Sequence, residues 1–171
     1  MYWTRSIFSL CLIGIVALSV RSQEPRGGSL QPVKYAGLMD TVSRYRGKVV
    51  LVDFWGTFCV PCKQSFPHTL DIHRRYAKDG LALVTVCLDG SDKPAAFDQA
   101  AQFLKKVGAD GANLYLEEPI DLWQKKLGFR SVPCYYVFSR QGQWTRFPAT
   151  DNDPLDYDAM ERFIVERLRE Q

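Results

Sequence analysis

Two stretches of the chain are apolar almost without interruption: Val49-Val50-Leu51-Val52-Asp53-Phe54-Trp55, after Gly47-Lys48, and residues 81–88. Runs of this kind predict strands buried on both faces, as in the middle of a sheet covered by helices on both sides. Residues 134–138 predict another strand, which the turn Ser139-Arg140-Gln141-Gly142 returns to an antiparallel partner over 143–147. Residues 113–116 fit a short strand. Helical spacing fills the intervals. Pro61 opens a helix to about Lys78, since proline is tolerated where the first-turn N–H has no partner, and Asp79-Gly80 closes it. Ala96, Ala100, Phe103 and Val107 share one face of a helix over 94–107. Residues 120–127 form a short helix stopped by Gly128, and Ala159, Phe163, Ile164 and Leu168 line one side of a closing helix over 156–169. Strands alternating with helices, then a hairpin and a last helix, predict an α/β fold: a mostly parallel sheet with an antiparallel edge.

The first residues follow another pattern. Arg5 precedes an apolar run over 7–20, with small residues at Ala17 and Ser19 near its end and at Ser22 just after it. This is the layout of a secretory signal. The run is short beside the ~20 apolar residues of a spanning helix, so residues 1–22 are expected to be a signal peptide or a membrane anchor. Cys11 inside the run follows Leu10, a poor context for lipid attachment. Residues 23–34, polar and rich in Gly and Pro, read as a linker, and 35–171 as the domain. On either reading of the leader the domain is exported, to a periplasmic or other extracytoplasmic space where disulfide chemistry is favoured.

Composition narrows the picture. At 46% hydrophobic and 24% charged the chain is globular. Its 22 basic and 19 acidic residues leave no basic field for nucleic acid. A chain of 171 residues can bury a core without disulfide staples, so five cysteines exceed what folding requires.

Cys59-Val60-Pro61-Cys62 stands between a buried strand and a helix start. Two intervening residues let both sulfurs meet across one helical turn. The unpaired N–H groups and partial positive charge of the first turn favour a thiolate. The pKa of Cys59 should therefore fall below that of a free thiol, making Cys59 the nucleophile and Cys62 the resolving thiol. A zinc site would need two further ligands in a close pair, but Cys87 and Cys134 are isolated. Haem attachment would need a histidine where Lys63 stands. A purely structural bridge closing so small a loop stabilises little. Trp55 and Phe58 flank the motif and suit either an apolar docking face or, for Trp55, core packing. His68 lies far around the helix from Cys62, and His73 about 16 Å along it, so neither should touch the thiols.

The run from Val52 to Lys63, with Val132-Pro133 later in the chain, resembles the active site of thioredoxins. The wider chain resembles the exported TlpA/ResA-like branch of that superfamily, with residues 89–118 as its helix-containing insertion. The resemblance implies a thioredoxin-like fold with a central mixed β-sheet and helices on both faces. It implies a thiol–disulfide oxidoreductase, most simply a reductase, acting on disulfides of exported proteins and drawing electrons from a membrane donor. No cofactor is implied. It further implies that Pro133 is cis against the disulfide, that the Val132 backbone pairs with a bound substrate chain beside Pro61, and that Asp53 is the buried aspartate beneath Cys62. Burial would raise the pKa of Asp53, suiting it to take the proton of Cys62, although a purely structural aspartate fits as well.

Departures from the family remain informative. Val60 replaces a common glycine. Ser65 stands where the branch often has glutamate, whereas Pro67 matches the kink-forming proline. Cys134 replaces the usual threonine after the cis proline. It is expected near Cys59, as a third thiol, a metal ligand with the pair, or an inert replacement. Cys87 reads as a buried inert thiol, and its strand is expected on the far side of the central strand from Cys134. Two other functions fit less well. A copper-binding assembly factor would use Cys59 and Cys62, with or without Cys134, as soft ligands, but such relatives generally space their cysteines by three and add a suitably placed histidine, whereas the spacing here is two and His68 and His73 are badly placed. A peroxiredoxin-like peroxidase needs a threonine three residues before its cysteine, and Thr57 is two before Cys59.

Overall fold

The computed structural model describes residues 28–90, 93–148 and 155–170. The expected leader over 1–22, including the apolar run 7–20, lies outside the described residues. Six strands form one mixed sheet: β1 (Leu30–Val33), β2 (Val49–Trp55), β3 (Leu81–Cys87), β4 (Ala112–Leu116), β5 (Cys134–Phe138) and β6 (Trp144–Pro148), in the order β1-β4-β3-β2-β5-β6. The β1–β4, β4–β3 and β3–β2 pairs are parallel, and β2–β5 and β5–β6 antiparallel. Every residue of β2 and β3 is buried, as their unbroken apolar runs require.

Helices cover both faces. Leu38 and Val42 of α1 (Tyr35–Arg44) and Trp123 and Leu127 of α4 (Ile120–Leu127) pack with Val50, Val52 and Phe54 in one core layer. Phe66 and Leu70 of α2 (Val60–Tyr76), Ala100 and Leu104 of α3 (Pro94–Val107), and Met160 and Ile164 of α5 (Tyr157–Arg169) pack with Val49, Leu51 and Trp55 in the other. Strand alternation therefore assigns even and odd positions of β2 to different layers. α4 stops at Gly128, whose φ of 73° lies in the left-handed region.

Two elements differ from the sequence reading. The linker expected over 23–34 ends in β1, whose residues 30–33 extend the sheet beyond β4. The residues following it, left without an element by their pattern, form α1. Glu118 joins this segment to α4: one carboxylate oxygen accepts from Tyr35 N–H (2.7 Å) and from Trp123 Nε1 (2.9 Å). Elsewhere, the Arg140 guanidinium in the β5–β6 turn donates to the carbonyls of Gly47, Asp79, Leu168 and Glu170. It thereby ties the end of α5 to the loops before β2 and β3.

Candidate active site

β2 carries the chain from the sheet centre into Gly56-Thr57-Phe58, and Cys59 then caps α2. Its extended backbone lets Sγ accept from the Cys62 N–H at 3.2 Å. Pro61 occupies the first turn, where no N–H is missed. Cys59 and Cys62 are joined in a disulfide with Cα atoms 5.3 Å apart. Cys59 is 6% exposed and Cys62 1%, so an incoming thiolate reaches Cys59 first. On reduction, the Cys59 thiolate would stand at the positive end of a 17-residue helix, with N–H groups facing it.

The Val132–Pro133 peptide is cis, and the Val132 carbonyl oxygen lies 3.7 Å from Cys59 Sγ. Both border a groove of about 530 Å³ lined by Phe58, Cys59, Val60, Ile120, Phe129 and Val132, with Pro61 on its rim. Phe58 and Val60 are 56% and 58% exposed, an unusual apolar outlay for a surface. The far side of Phe58 borders a second cleft of about 680 Å³ that includes Asp89, Lys93, Glu118 and Asp121. Phe58 lies over Gly56 so closely that a β-carbon there would collide with its ring.

Trp55, considered above for the docking face, has no exposed surface. As an odd residue of β2 it points into the α2–α3 layer, against Phe66 and Phe103 at 5.3 and 5.0 Å. Asp53 shares that layer. It is 1% exposed, neither carboxylate oxygen has a hydrogen-bond partner, and burial pushes its pKa up to about 7.

Cys134 departs most from expectation. It pairs with Phe54 across the sheet and so faces the α1–α4 layer, on the opposite face from Cys59 and Cys62. Burial pushes its thiol up to about 12. From this segment it is the Val132 carbonyl that meets Cys59, while the Cys134 side chain lies on the other face of the sheet. Cys87 is fully buried, its thiol raised by burial beyond the ordinary range, and β3 lies across β2 from β5 as expected. His68 packs edge-on against Tyr157, and His73 Nδ1 lies 3.3 Å from Asp110. Among the described residues no three His, Cys, Asp or Glu side chains come together as a metal-ligating group.

Sequence reasoning missed a clasp. The buried Asp89 carboxylate accepts from the Thr57 N–H and hydroxyl, both at 2.7 Å, and from the Cys87 thiol at 2.9 Å. Lys63 Nζ donates to the Thr57 carbonyl at 2.7 Å. The residue two before Cys59 is therefore held through its N–H, hydroxyl and carbonyl, which fixes the loop that delivers the cysteine to the helix start.

A model of the AhpC/TSA family matches residues 36–144. The thiol-disulfide oxidoreductase ResA of Oceanobacillus iheyensis is 39% identical over 51 residues, 30% of this chain and 27% of that protein. ResA of Bacillus subtilis is 33% identical over 69 residues, 40% of this chain and 36% of that protein. The matched stretch thus spans less than half the length of these curated relatives. Among solved structures, a putative thiol:disulfide interchange protein DsbE from Chlorobium tepidum superposes with a TM-score of 0.60 at 27% identity, covering 74% of this chain and 84% of that one. The fold is thioredoxin-like, and because the family model runs from α1 through the sheet to the start of β6, well over half of the sequence, this chain belongs to the AhpC/TSA family.

Proposed function

We propose that this protein is a thiol–disulfide oxidoreductase that reduces disulfides of exported proteins. The observation that carries this reading is the Cys59 sulfur at the N-terminus of α2, beside the Val132 carbonyl and lining an apolar groove. In the reduced protein the Cys59 thiolate attacks one sulfur of the substrate disulfide. A Cys59–substrate disulfide forms, and the other substrate sulfur leaves as a thiolate. Cys62 then loses its proton to Asp53 and attacks Cys59 Sγ. The Cys59–Cys62 bond closes, and the second substrate sulfur leaves. Two electrons pass to the substrate, and a membrane-bound dithiol donor restores them. Phe58, Pro61 and Val132 hold the substrate chain, with Pro133 fixing the Val132 carbonyl toward the disulfide. The leader over 1–22 directs export to the periplasm or another extracytoplasmic space, as a cleaved signal or an anchor.

The other two functions gain nothing from the geometry. The Thr57 hydroxyl is committed to Asp89, away from the part a peroxidatic threonine plays, and Cys134 lies in the wrong core layer to join the pair around copper. The test is the reduction potential of the Cys59–Cys62 pair in the purified domain. A value near the thioredoxin end, about −270 mV, supports a reductase. One near the DsbA end, about −120 mV, makes the protein an oxidant and sinks the proposed direction.

A further inference from the structure

β2 and β3 pair in parallel up to Trp55 opposite Cys87, and the Leu88 N–H still reaches the Trp55 carbonyl at 2.8 Å. In a continued ladder the next donor, the Thr57 N–H, would go to the Leu88 carbonyl. It goes instead to Asp89 Oδ2. A side-chain carboxylate thus takes over where the two strands part. With two oxygens, Asp89 accepts three donors: the Thr57 N–H, the Thr57 hydroxyl and the Cys87 thiol. The carboxylate is buried, and stripping it of these donors would be costly, so the grip on Thr57 is firm.

The same turn is held from the helix side. The Cys59 N–H donates to the Gly56 carbonyl at 3.0 Å and closes the turn Gly56-Thr57-Phe58-Cys59. Lys63 holds it twice: its N–H donates to the Cys59 carbonyl at 3.3 Å, and its Nζ to the Thr57 carbonyl at 2.7 Å. None of these bonds uses the sulfur of Cys59 or Cys62, so none is lost when the disulfide opens.

We propose that Asp89 is a positioning residue for the closing step of exchange: through Thr57 it keeps the Cys59 main chain within reach of Cys62 while the two sulfurs are not bonded to each other. The inference rests on the thiol–disulfide exchange proposed above. In the oxidised protein the disulfide already ties Cys59 to Cys62, and the clasp is redundant. In the reduced and mixed-disulfide forms hydrogen bonds hold the turn. Releasing it adds freedom to those open forms and little to the closed one. The effective concentration of Cys62 at Cys59 Sγ then falls, and with it the rate and the equilibrium constant of closure. Attack of Cys59 on an external disulfide makes no use of Cys62 and is spared. Closure itself balances: the Cys62 thiolate forms the Cys59–Cys62 bond, the Cys59–substrate bond breaks, and the substrate sulfur leaves as a thiolate. Asp89 exchanges neither proton nor electron.

The test is Thr57→Val in the full chain. Valine keeps the shape, the N–H and every charge, and removes the hydroxyl that meets Asp89; Thr57 is partly exposed, so the core is untouched. Reduced protein is mixed with oxidised glutathione at rising concentration, quenched with acid and read by mass spectrometry. The concentration-dependent rate reports formation of the Cys59–glutathione disulfide, and its plateau reports closure. Thr57→Val should slow closure about tenfold, the order of one hydrogen bond to a charged group, and leave the first step within about twofold of wild type. In glutathione redox buffers the closure constant should fall by the same factor, which moves the potential about 30 mV in the oxidising direction. Thr57→Ser restores the hydroxyl and should recover both values. Asp89→Asn keeps an oxygen for the Thr57 N–H and an NH₂ group for its hydroxyl, and should close nearly as the wild type does. Wild-type closure in Thr57→Val, equal slowing of both steps, or no recovery in Thr57→Ser overturns the assignment. So does an Asp89→Asn protein as slow as Thr57→Val, which would make charge rather than position the cause. Wild-type protein that forms no glutathione adduct overturns the exchange reading beneath it instead.

Discussion

The burial of Asp53 makes a quantitative claim about stability. In the unfolded chain its carboxyl gives up its proton near 3.8, whereas the native side chain keeps it to about 7. Between these values the native state binds more protons than the unfolded state. The free energy of unfolding must therefore fall as pH rises through that window. One proton corresponds to about 1.4 kcal/mol per pH unit, so roughly three units give a loss of about 4 kcal/mol, complete above the native pKa. Asp53→Asn, nearly isosteric and never charged, removes this slope. The assay is urea unfolding of the oxidised wild type and variant at about pH 4.5 and pH 8.5. Contributions from groups present in both proteins, including Glu118 and Glu161, cancel in the comparison. The wild type should lose about 3 to 4 kcal/mol more than the variant between the two conditions. Parallel losses would refute the reasoning, because they would mean that the carboxyl ionises as freely inside the fold as outside it.

Other consequences are more local. Arg140→Met leaves four backbone carbonyls without their donor and should lower the unfolding free energy by about 2 kcal/mol, read from urea midpoints, with thiol reactivity intact. Cys134→Ser, in the layer away from the disulfide, should move the Cys59–Cys62 potential by less than about 30 mV, a tenfold change in equilibrium constant. The Tyr35 N–H and Trp123 hold the pKa of Glu118 down. Its stabilising effect is present above the ordinary glutamate range and lost as pH falls through the lowered native value. Glu118→Gln should therefore flatten the acid limb of the stability profile, and Tyr35 amide exchange should quicken in that variant.

The long apolar strands and the cysteine pair at a proline-marked helix start were legible because each states its environment locally. β2 and β3 could hardly be anything but central, and Cys59-Val60-Pro61-Cys62 needs only its neighbours to be read. β1 was not legible, because four residues containing Pro32 in a polar stretch carry no alternation; the sheet recruits them through β4. α1 escaped because Gly37 and two β-branched residues weaken its propensity, and its lysine N-cap makes no side-chain bond. The layer of Cys134 could not be assigned, since a strand apolar on both faces does not reveal which side meets which helices. Asp89 looked like any loop acid, and its partner Thr57 lies 32 residues earlier.

The collision between Gly56 and Phe58 has a consequence for how this molecule can diversify. Phe58 and Ile120 line both clefts, and the missing side chain at 56 is what leaves room for the Phe58 ring where it lies. An alanine at 56 would displace the ring and reshape both clefts, whereas a smaller residue at 58 would widen them with the backbone left as it is. The breadth of what the surface admits is thus set by a lever one step removed from the sulfur chemistry. Breadth of docking can therefore drift at 58, whereas Gly56, whose carbonyl accepts from the Cys59 N–H at 3.0 Å, is bound to the cysteine as well as to the ring.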